Sequence, residues 1–285
     1  MKQKILKLLV VLLVMALMVA SILYYAIYVS PEKLTTKYDT VTSSKIPDSL
    51  DNVTIGFFSD IYYLEFMDHV RLEKMVEEIK EAHVDILLFG GDLFSQPQSE
   101  DISAEDISAI GELLDSLEAP LGKFYVLGDI DCTNEDTKTL VSNILFNAGF
   151  EELTNKSIKL HNGKMEYINL IGLDNMINGS VDVQSAFSSI SDESFNVVFT
   201  HTPDNVTTLP IETVDLALAG HSLGGQVRLP GIGASEVIVG AEKYSYGLYT
   251  YNGKTIRVSN GIGTSEVDMR LLCPPQFNVM VLRKK

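Results

Sequence analysis

The sequence predicts a mixed α/β domain behind one N-terminal membrane-spanning helix, on three observations. Short apolar runs alternate with amphipathic segments of helical period, the rhythm of a largely parallel sheet with crossover helices. Several of those runs end in Asp, His or paired Gly, and the C-terminal ends of strands are where open α/β sheets gather their sites. Residues 8–29 carry no charge, and a helix needs about 20 apolar residues to cross a bilayer.

At the N-terminus, Lys2, Lys4 and Lys7 precede the apolar run, and Glu32 and Lys33 follow it. Lysines on that flank favour keeping it in the cytoplasm. The expected organisation is therefore a cytoplasmic N-terminus (1–7), a transmembrane anchor (8–29), a polar stalk (30–50) and one extracytoplasmic domain (51–285), held at the cell membrane by a single pass. A cleaved signal peptide is the rival reading, with Val19-Ala-Ser21 as a poor processing site, although the apolar run outlasts the usual signal core.

Within the domain, residues 53–58 read as the first strand. Residues 71–82 place Leu72, Met75, Val76, Ile79 and Ala82 on one helical face. A strand at 85–89, a helix at 102–117 ended by Pro120 and Gly122, a strand at 123–127 and a helix at 135–148 stopped at Gly149 continue the alternation. The pattern then shortens to strands at 157–160 and 165–173 about an Asn162-Gly163 turn. A helix is expected at 181–190, buried strands at 196–201 and 216–219, a hairpin across 244–258 about Asn252-Gly253, and a closing strand at 277–282. At 285 residues and 46% hydrophobic, the chain can bury one sizeable core.

The net charge is −16, and three of the lysines sit before the apolar run, so the domain itself is more acidic still. That argues against nucleic acid or an anionic membrane surface as a general partner. Two cysteines, Cys132 and Cys273, make no disulfide scaffold.

Five strand ends carry the chemistry: Phe57-Phe-Ser-Asp60, Leu87-Leu-Phe-Gly-Gly-Asp92, Tyr125-Val-Leu-Gly-Asp129, Asn196-Val-Val-Phe-Thr-His201 and Leu216-Ala-Leu-Ala-Gly-His221. One strand-end Asp is commonly a turn residue. Three Asp and two His converging from five strands instead form an oxygen and imidazole set suited to a divalent metal.

In these blocks the chain resembles the calcineurin-like metallophosphoesterase family, in its membrane-tethered bacterial branch. The resemblance is carried by Asp60-Ile-Tyr62, Gly91-Asp92, Gly128-Asp129-Ile-Asp131, His201-Thr-Pro-Asp204 and Gly220-His221-Ser-Leu-Gly-Gly-Gln226. The tail Ser259-Asn-Gly-Ile-Gly-Thr-Ser265, followed by Cys273-Pro-Pro275, is similar to that branch too. The resemblance implies a two-sheet αββα sandwich, two metal ions and metal-dependent phosphoester hydrolysis. It implies one ion on Asp60, Asp92 and histidines at positions 62 and 223, and another on Asp92, an asparagine at 129, His201 and His221. It also implies a proton-donating histidine at position 130.

This chain departs from that pattern with Tyr62, Leu223, Asp129 and Ile130. Both imidazoles of one site are missing, while a full ligand set for the other remains. The expectation is one divalent ion (Mn, Fe or Zn) on Asp92, Asp129, His201 and His221. Asp60 is a residual candidate ligand, Tyr62 and Leu223 are degenerate metal positions, and Ile130 occupies the general-acid position. Three carboxylates set −3 against the +2 of a single ion, which disfavours a phosphate dianion. Hydrolysis is accordingly expected to be lost or much reduced, leaving a binding module for a cell-surface component, a lipid headgroup or a protein. The competing expectation is an active single-metal phosphomonoesterase or phosphodiesterase acting on a cell-surface or lipid-linked phosphate. Asp131 and Asp204 are expected to orient their neighbours, and His69 to be a solvated loop residue.

Overall fold

A computed structural model describes residues 2–95 and 102–285. The first helix, α1 (Lys2–Tyr28), is unbroken and buries only Ala26; it is long and apolar enough to cross a membrane. Ser21 donates its hydroxyl to the Leu17 carbonyl one turn back, at 2.8 Å, which satisfies its polar atom without water.

Chain order then runs β1 (Thr35–Ser43), β2 (Thr54–Phe58), α2 (His69–Lys80), β3 (Ile86–Phe89), α3 (Ala104–Asp115), β4 (Lys123–Tyr125), α4 (Glu135–Asn147) and β5 (Phe150–Glu152). The second half holds β6 (Lys156–His161), β7 (Tyr167–Leu173), α5 (Val183–Ala186), β8 (Asn196–Thr200), β9 (Leu216–Ala219) and the short pair β10 (Arg228–Leu229) and β11 (Gly233–Ala234). It ends with β12 (Gly247–Tyr251), β13 (Lys254–Val258) and β14 (Gln276–Lys284). One six-stranded sheet is ordered β1-β14-β2-β3-β4-β5 and the other β12-β13-β9-β8-β7-β6. β2 through β5 are mutually parallel, as are β7, β8, β9 and β13, while β14, β12 and β6 pair antiparallel with their inner neighbours.

The alternation of side chains along each strand explains the layering. In β3, Ile86 and Leu88 enter the core between the two sheets, while Leu87 and Phe89 face α2, α3 and α4. Strands buried on both faces read as continuous apolar runs, which makes them legible in sequence. A third cluster, including Ile171, Val198, Ala217 and Ile256, covers the outer face of the second sheet. The helices on the first sheet are capped by Asp68, Ser103 and Asn134, each accepting a backbone N–H three residues on.

Two expectations fail. The stretch expected as a stalk is part of the domain: β1 is the edge strand of the first sheet, paired in parallel with β14. Its threonines and Val41 are good strand formers, and its half-exposed face is polar because an edge strand meets water. The helix expected at 181–190 is one turn, α5. There Ser185 and Ser188 turn their hydroxyls to Asp182 and to the Ser185 carbonyl, the local bonding by which serine competes with helix.

The join between α1 and the domain is braced. Arg71, on α2, is buried and donates to the Pro31 carbonyl at 2.7 Å and to Asp268 at 3.0 Å. The Arg270 backbone N–H donates to the Ala26 carbonyl at 2.9 Å.

A candidate metal centre at the strand ends

Loops leaving β2, β3, β4, β8 and β9 deliver Asp60, Asp92, Asp129, His201 and His221 to one place. The turns are tight: Asp60, Tyr62, Asp92, His221 and Leu223 all have positive φ between 49° and 66°, a region costly for residues other than glycine and typical of functional sites. Gly128 is required because a Cβ there would run into the Asp92 carboxylate.

Asp92, Asp129, His201 and His221 each offer a ligand atom, and these atoms lie within 4.8 Å of one another. His201 Nε2 is 2.9 Å from Asp129 Oδ1 and 3.3 Å from Asp92 Oδ2, and His221 Nδ1 is 3.0 Å from the same Asp129 oxygen. The far nitrogens define the tautomers. His201 Nδ1 is 2.7 Å from the Gly90 carbonyl and His221 Nε2 is 2.8 Å from the Val239 carbonyl. Carbonyls only accept, so both of those nitrogens carry hydrogen. His201 Nε2 and His221 Nδ1 are then the nitrogens that face inward, 3.2 Å apart, each able to hold a proton or a metal ion. Two imidazole nitrogens and two carboxylates facing one another suit a shared cation. The separations suit one: a tetrahedral ion with ligand bonds of about 2.1 Å has ligand atoms roughly 3.4 Å apart. The residues present therefore fit a divalent ion.

The electrostatics agree. Burial opposes charge on His201, but Asp92 and Asp129 outweigh it and hold its pKa well above the ordinary value. Burial likewise pushes Asp129 upward, but hydrogen bonds and charge from His201 and His221 hold it far below the usual carboxylate range. Without an ion, a proton on His201 takes the cation's place.

The other expected position is occupied differently. Asp60 is fully buried, accepting the His221 backbone N–H with both oxygens at 3.1 Å and the Ser59 hydroxyl. Burial, reinforced by Asp92, raises its pKa. Tyr62 is buried, and its hydroxyl donates to Asp92 Oδ2 at 3.3 Å. Burial and then the carboxylates of Asp92, Asp60 and Asp129 push the phenol well above 10.0, so it is a neutral donor. Leu223 is buried, and its carbonyl accepts from Arg270 Nη1 at 2.8 Å and from the Cys273 thiol at 3.3 Å. Ile130 contributes only its backbone N–H, to Asp92 Oδ1 at 3.0 Å. His69 is exposed at the first turn of α2. Cys132 and Cys273 are free.

A supporting layer holds the ligands. Asp131 accepts the N–H groups of Asp92, Gly128 and Leu93. Its burial, with Asp92 beside it, raises its pKa to about 7. Asp204 accepts the N–H groups of Lys243 and Tyr244, fixing the segment that presents the Val239 carbonyl to His221. Asn175 and Asn178 bond the carbonyls of Gly128 and Asp129. Sequence reasoning does not find Arg270. Its fully buried guanidinium binds the carbonyls of Leu223, Cys273 and Gly263, and a lone arginine among apolar neighbours is the only signal.

A model of the family described as "Calcineurin-like phosphoesterase" matches residues 53–225. The chain is 29% identical over 261 residues to an uncharacterized metallophosphoesterase, YkuE, of Bacillus subtilis, spanning 91% of this chain and 89% of that one. It is 26% identical over 231 residues to the phosphodiesterase YaeI of Escherichia coli, spanning 80% and 81% of the two chains. A transmembrane protein with a metallophosphoesterase domain from Danio rerio is 23% identical, over 84% of this chain and 55% of its own length.

Proposed function

Because the chain belongs to the calcineurin-like phosphoesterase family, we propose that its domain holds one divalent ion on Asp92, Asp129, His201 and His221, and that phosphoester hydrolysis is lost or much reduced. The observation that carries this reading is the hydrogen bond from Tyr62 to Asp92 Oδ2. Asp92 is the carboxylate the family pattern would share between two ions, and here a neutral phenol donates to it. Asp60, the remaining carboxylate of that side, already accepts from Ser59 and His221, and Leu223 offers no ligand atom.

A bound ion supplies Lewis-acid chemistry, polarising a phosphoryl oxygen. The chain's own groups limit how far that chemistry goes. Asp92 and Asp129 neutralise a single divalent charge, and Asp60 stands near them, so an incoming phosphate dianion meets no surplus of positive charge. Ile130 has no proton for a leaving group, and general acid catalysis contributes roughly 10²–10⁴-fold in rate. What remains suits binding. We take the ion to be Mn, Fe or Zn, the N-terminus to be cytoplasmic and the domain extracytoplasmic, on the strength of Lys2, Lys4 and Lys7. The acidic domain takes no nucleic acid, and its partner is a cell-surface component, a lipid headgroup or a protein.

A second reading is supported by the cleft beside the centre, lined by Tyr62, His221, Gln226, Glu236 and Glu266. It is an active single-metal phosphomonoesterase or phosphodiesterase acting on a cell-surface or lipid-linked phosphate. The full chain in detergent, loaded with Mn²⁺ and given a bis-aryl phosphate, separates the two. The comparison is a variant with Tyr62→His, Asp129→Asn, Ile130→His and Leu223→His together. Activity in the unaltered chain comparable to that of the variant overturns the first reading; two ions per unaltered chain overturn the single-ion assignment.

A further inference from the structure

The braced join between α1 and the domain fixes which face of the domain meets a membrane. From Leu8 to Tyr28 a helix rises about 30 Å, the thickness of a bilayer's hydrocarbon core. Tyr24, Tyr25 and Tyr28 are exposed on its last turns, where amphipathic rings settle at the headgroup boundary. Ala26 lies among them, fully buried, with its carbonyl 2.9 Å from the Arg270 N–H. A residue bonded to that turn is at headgroup height. Arg71 locks the same join through Pro31 and Asp268, so the domain does not swing on a free tether.

Apolar side chains are exposed on either side of Arg270: Val267 is 54% and Leu272 55% accessible. This segment is hydrogen-bonded to the loop after the metal centre. Gln226 donates to the carbonyls of Ser265 and Val267, and the Arg228 N–H donates to the Leu271 carbonyl. That loop in turn exposes Ile232, Val237 and Val239. Glu266 and Val267 form one wall of the cleft beside His221, and Ser235, Glu236 and Ile238 form another.

We infer that the rim carrying Val267, Leu272, Ile232, Val237 and Val239 rests in the bilayer that α1 crosses, so that the cleft opens at headgroup height. Apolar side chains left in water elsewhere find their partner in the acyl boundary, and burial there is favourable in proportion to the area covered. The acidic residues Glu236, Glu266 and Asp268 on the same segments match a zwitterionic surface better than an anionic one. The inference rests on α1 spanning the membrane and on the bonded join, and is independent of the chemistry of the centre.

The test uses the full chain in phosphatidylcholine vesicles. Cys132→Ser removes the half-buried thiol, and Val267→Cys or Leu272→Cys carries an environment-sensitive fluorophore. Met165→Cys is the reference: Met165 is 91% exposed, in the β6–β7 turn at the opposite end of the strands from the centre. The expected result is quenching at 267 and 272 by a nitroxide on the lipid acyl chain several-fold stronger than at 165, with weak quenching by aqueous iodide. Labels at 267 and 272 that respond to iodide as strongly as the label at 165 overturn the inference. Neither readout depends on metal or hydrolysis, so either outcome leaves the proposed function to its own test.

Discussion

Tyr62 and His201 approach the same oxygen: Asp92 Oδ2 is 3.3 Å from the phenol hydroxyl and 3.3 Å from the imidazole Nε2. One side chain donates a fixed hydrogen, and the other presents a nitrogen that can hold a proton or a metal ion. That asymmetry suits the His201 side to a cation and leaves a neutral phenol on the Tyr62 side.

Tyr62→Phe tests the division. If Tyr62 only donates to Asp92, its loss releases an oxygen to the ion. One ion per chain remains, bound as tightly or a few-fold more tightly, and the fold loses about 1 kcal/mol for a hydrogen bond removed. Metal content by atomic emission and calorimetric titration read both quantities. A fall to no bound metal makes Tyr62 a ligand.

Asp131 sets a pH dependence for the metal-free chain. Its carboxyl titrates at about 7 in the fold, raised by burial and by Asp92, against an ordinary value of 3.8. The folded state therefore binds this proton more tightly than the unfolded state, and its stabilising share, complete below the unfolded value, is lost as pH rises toward 7. His201, also raised, extends the loss to higher pH. With chelator present, the melting temperature should fall from about pH 5 to about pH 8; with the ion present the trend reverses, because metal and proton compete for the same lone pairs. Parallel melting curves with and without metal exclude this linkage.

The ligand set is legible because each member ends an apolar run, and runs buried on both faces are plain in sequence. The supports are not. Arg270 bonds the carbonyl of Leu223 and Arg71 that of Pro31, and such contacts depend on remote backbone brought together by the fold. β1 reads as a linker for the same reason: its partner strand, β14, lies at the far end of the chain, and an edge strand with a polar face has a linker's composition. At 181–190 the apolar spacing suggests a helix, and serine hydroxyls end it after one turn.

Arg270→Met removes a buried donor from three carbonyls; that of Leu223 keeps the Gln226 N–H and the Cys273 thiol, while those of Cys273 and Gly263 are left dry. An unsatisfied buried polar group costs about 1–3 kcal/mol, so the loss should reach at least about 2 kcal/mol in chemical denaturation. Limited proteolysis should open the segment near 223 and 263 first. A variant as stable as the parent shows that water satisfies those carbonyls.

Asp204→Ala tests control of the centre at a distance. Asp204 touches no ligand, yet it accepts the N–H groups of Lys243 and Tyr244 and donates its own N–H to the Gly240 carbonyl. Those bonds seat the segment whose Val239 carbonyl accepts from His221 Nε2 and so hold the Nδ1 lone pair toward Asp129. Loss of such a support for a ligating histidine typically lowers metal affinity about 10–100-fold, and that range is expected here while the fold persists. Asp204→Asn keeps one oxygen where Oδ1 receives both N–H groups and should recover most of the affinity. A structural role alone moves melting temperature and affinity together in both variants. A role through His221 moves affinity in the alanine variant and restores it in the asparagine one. Metal titration of the two variants beside their melting curves distinguishes these outcomes.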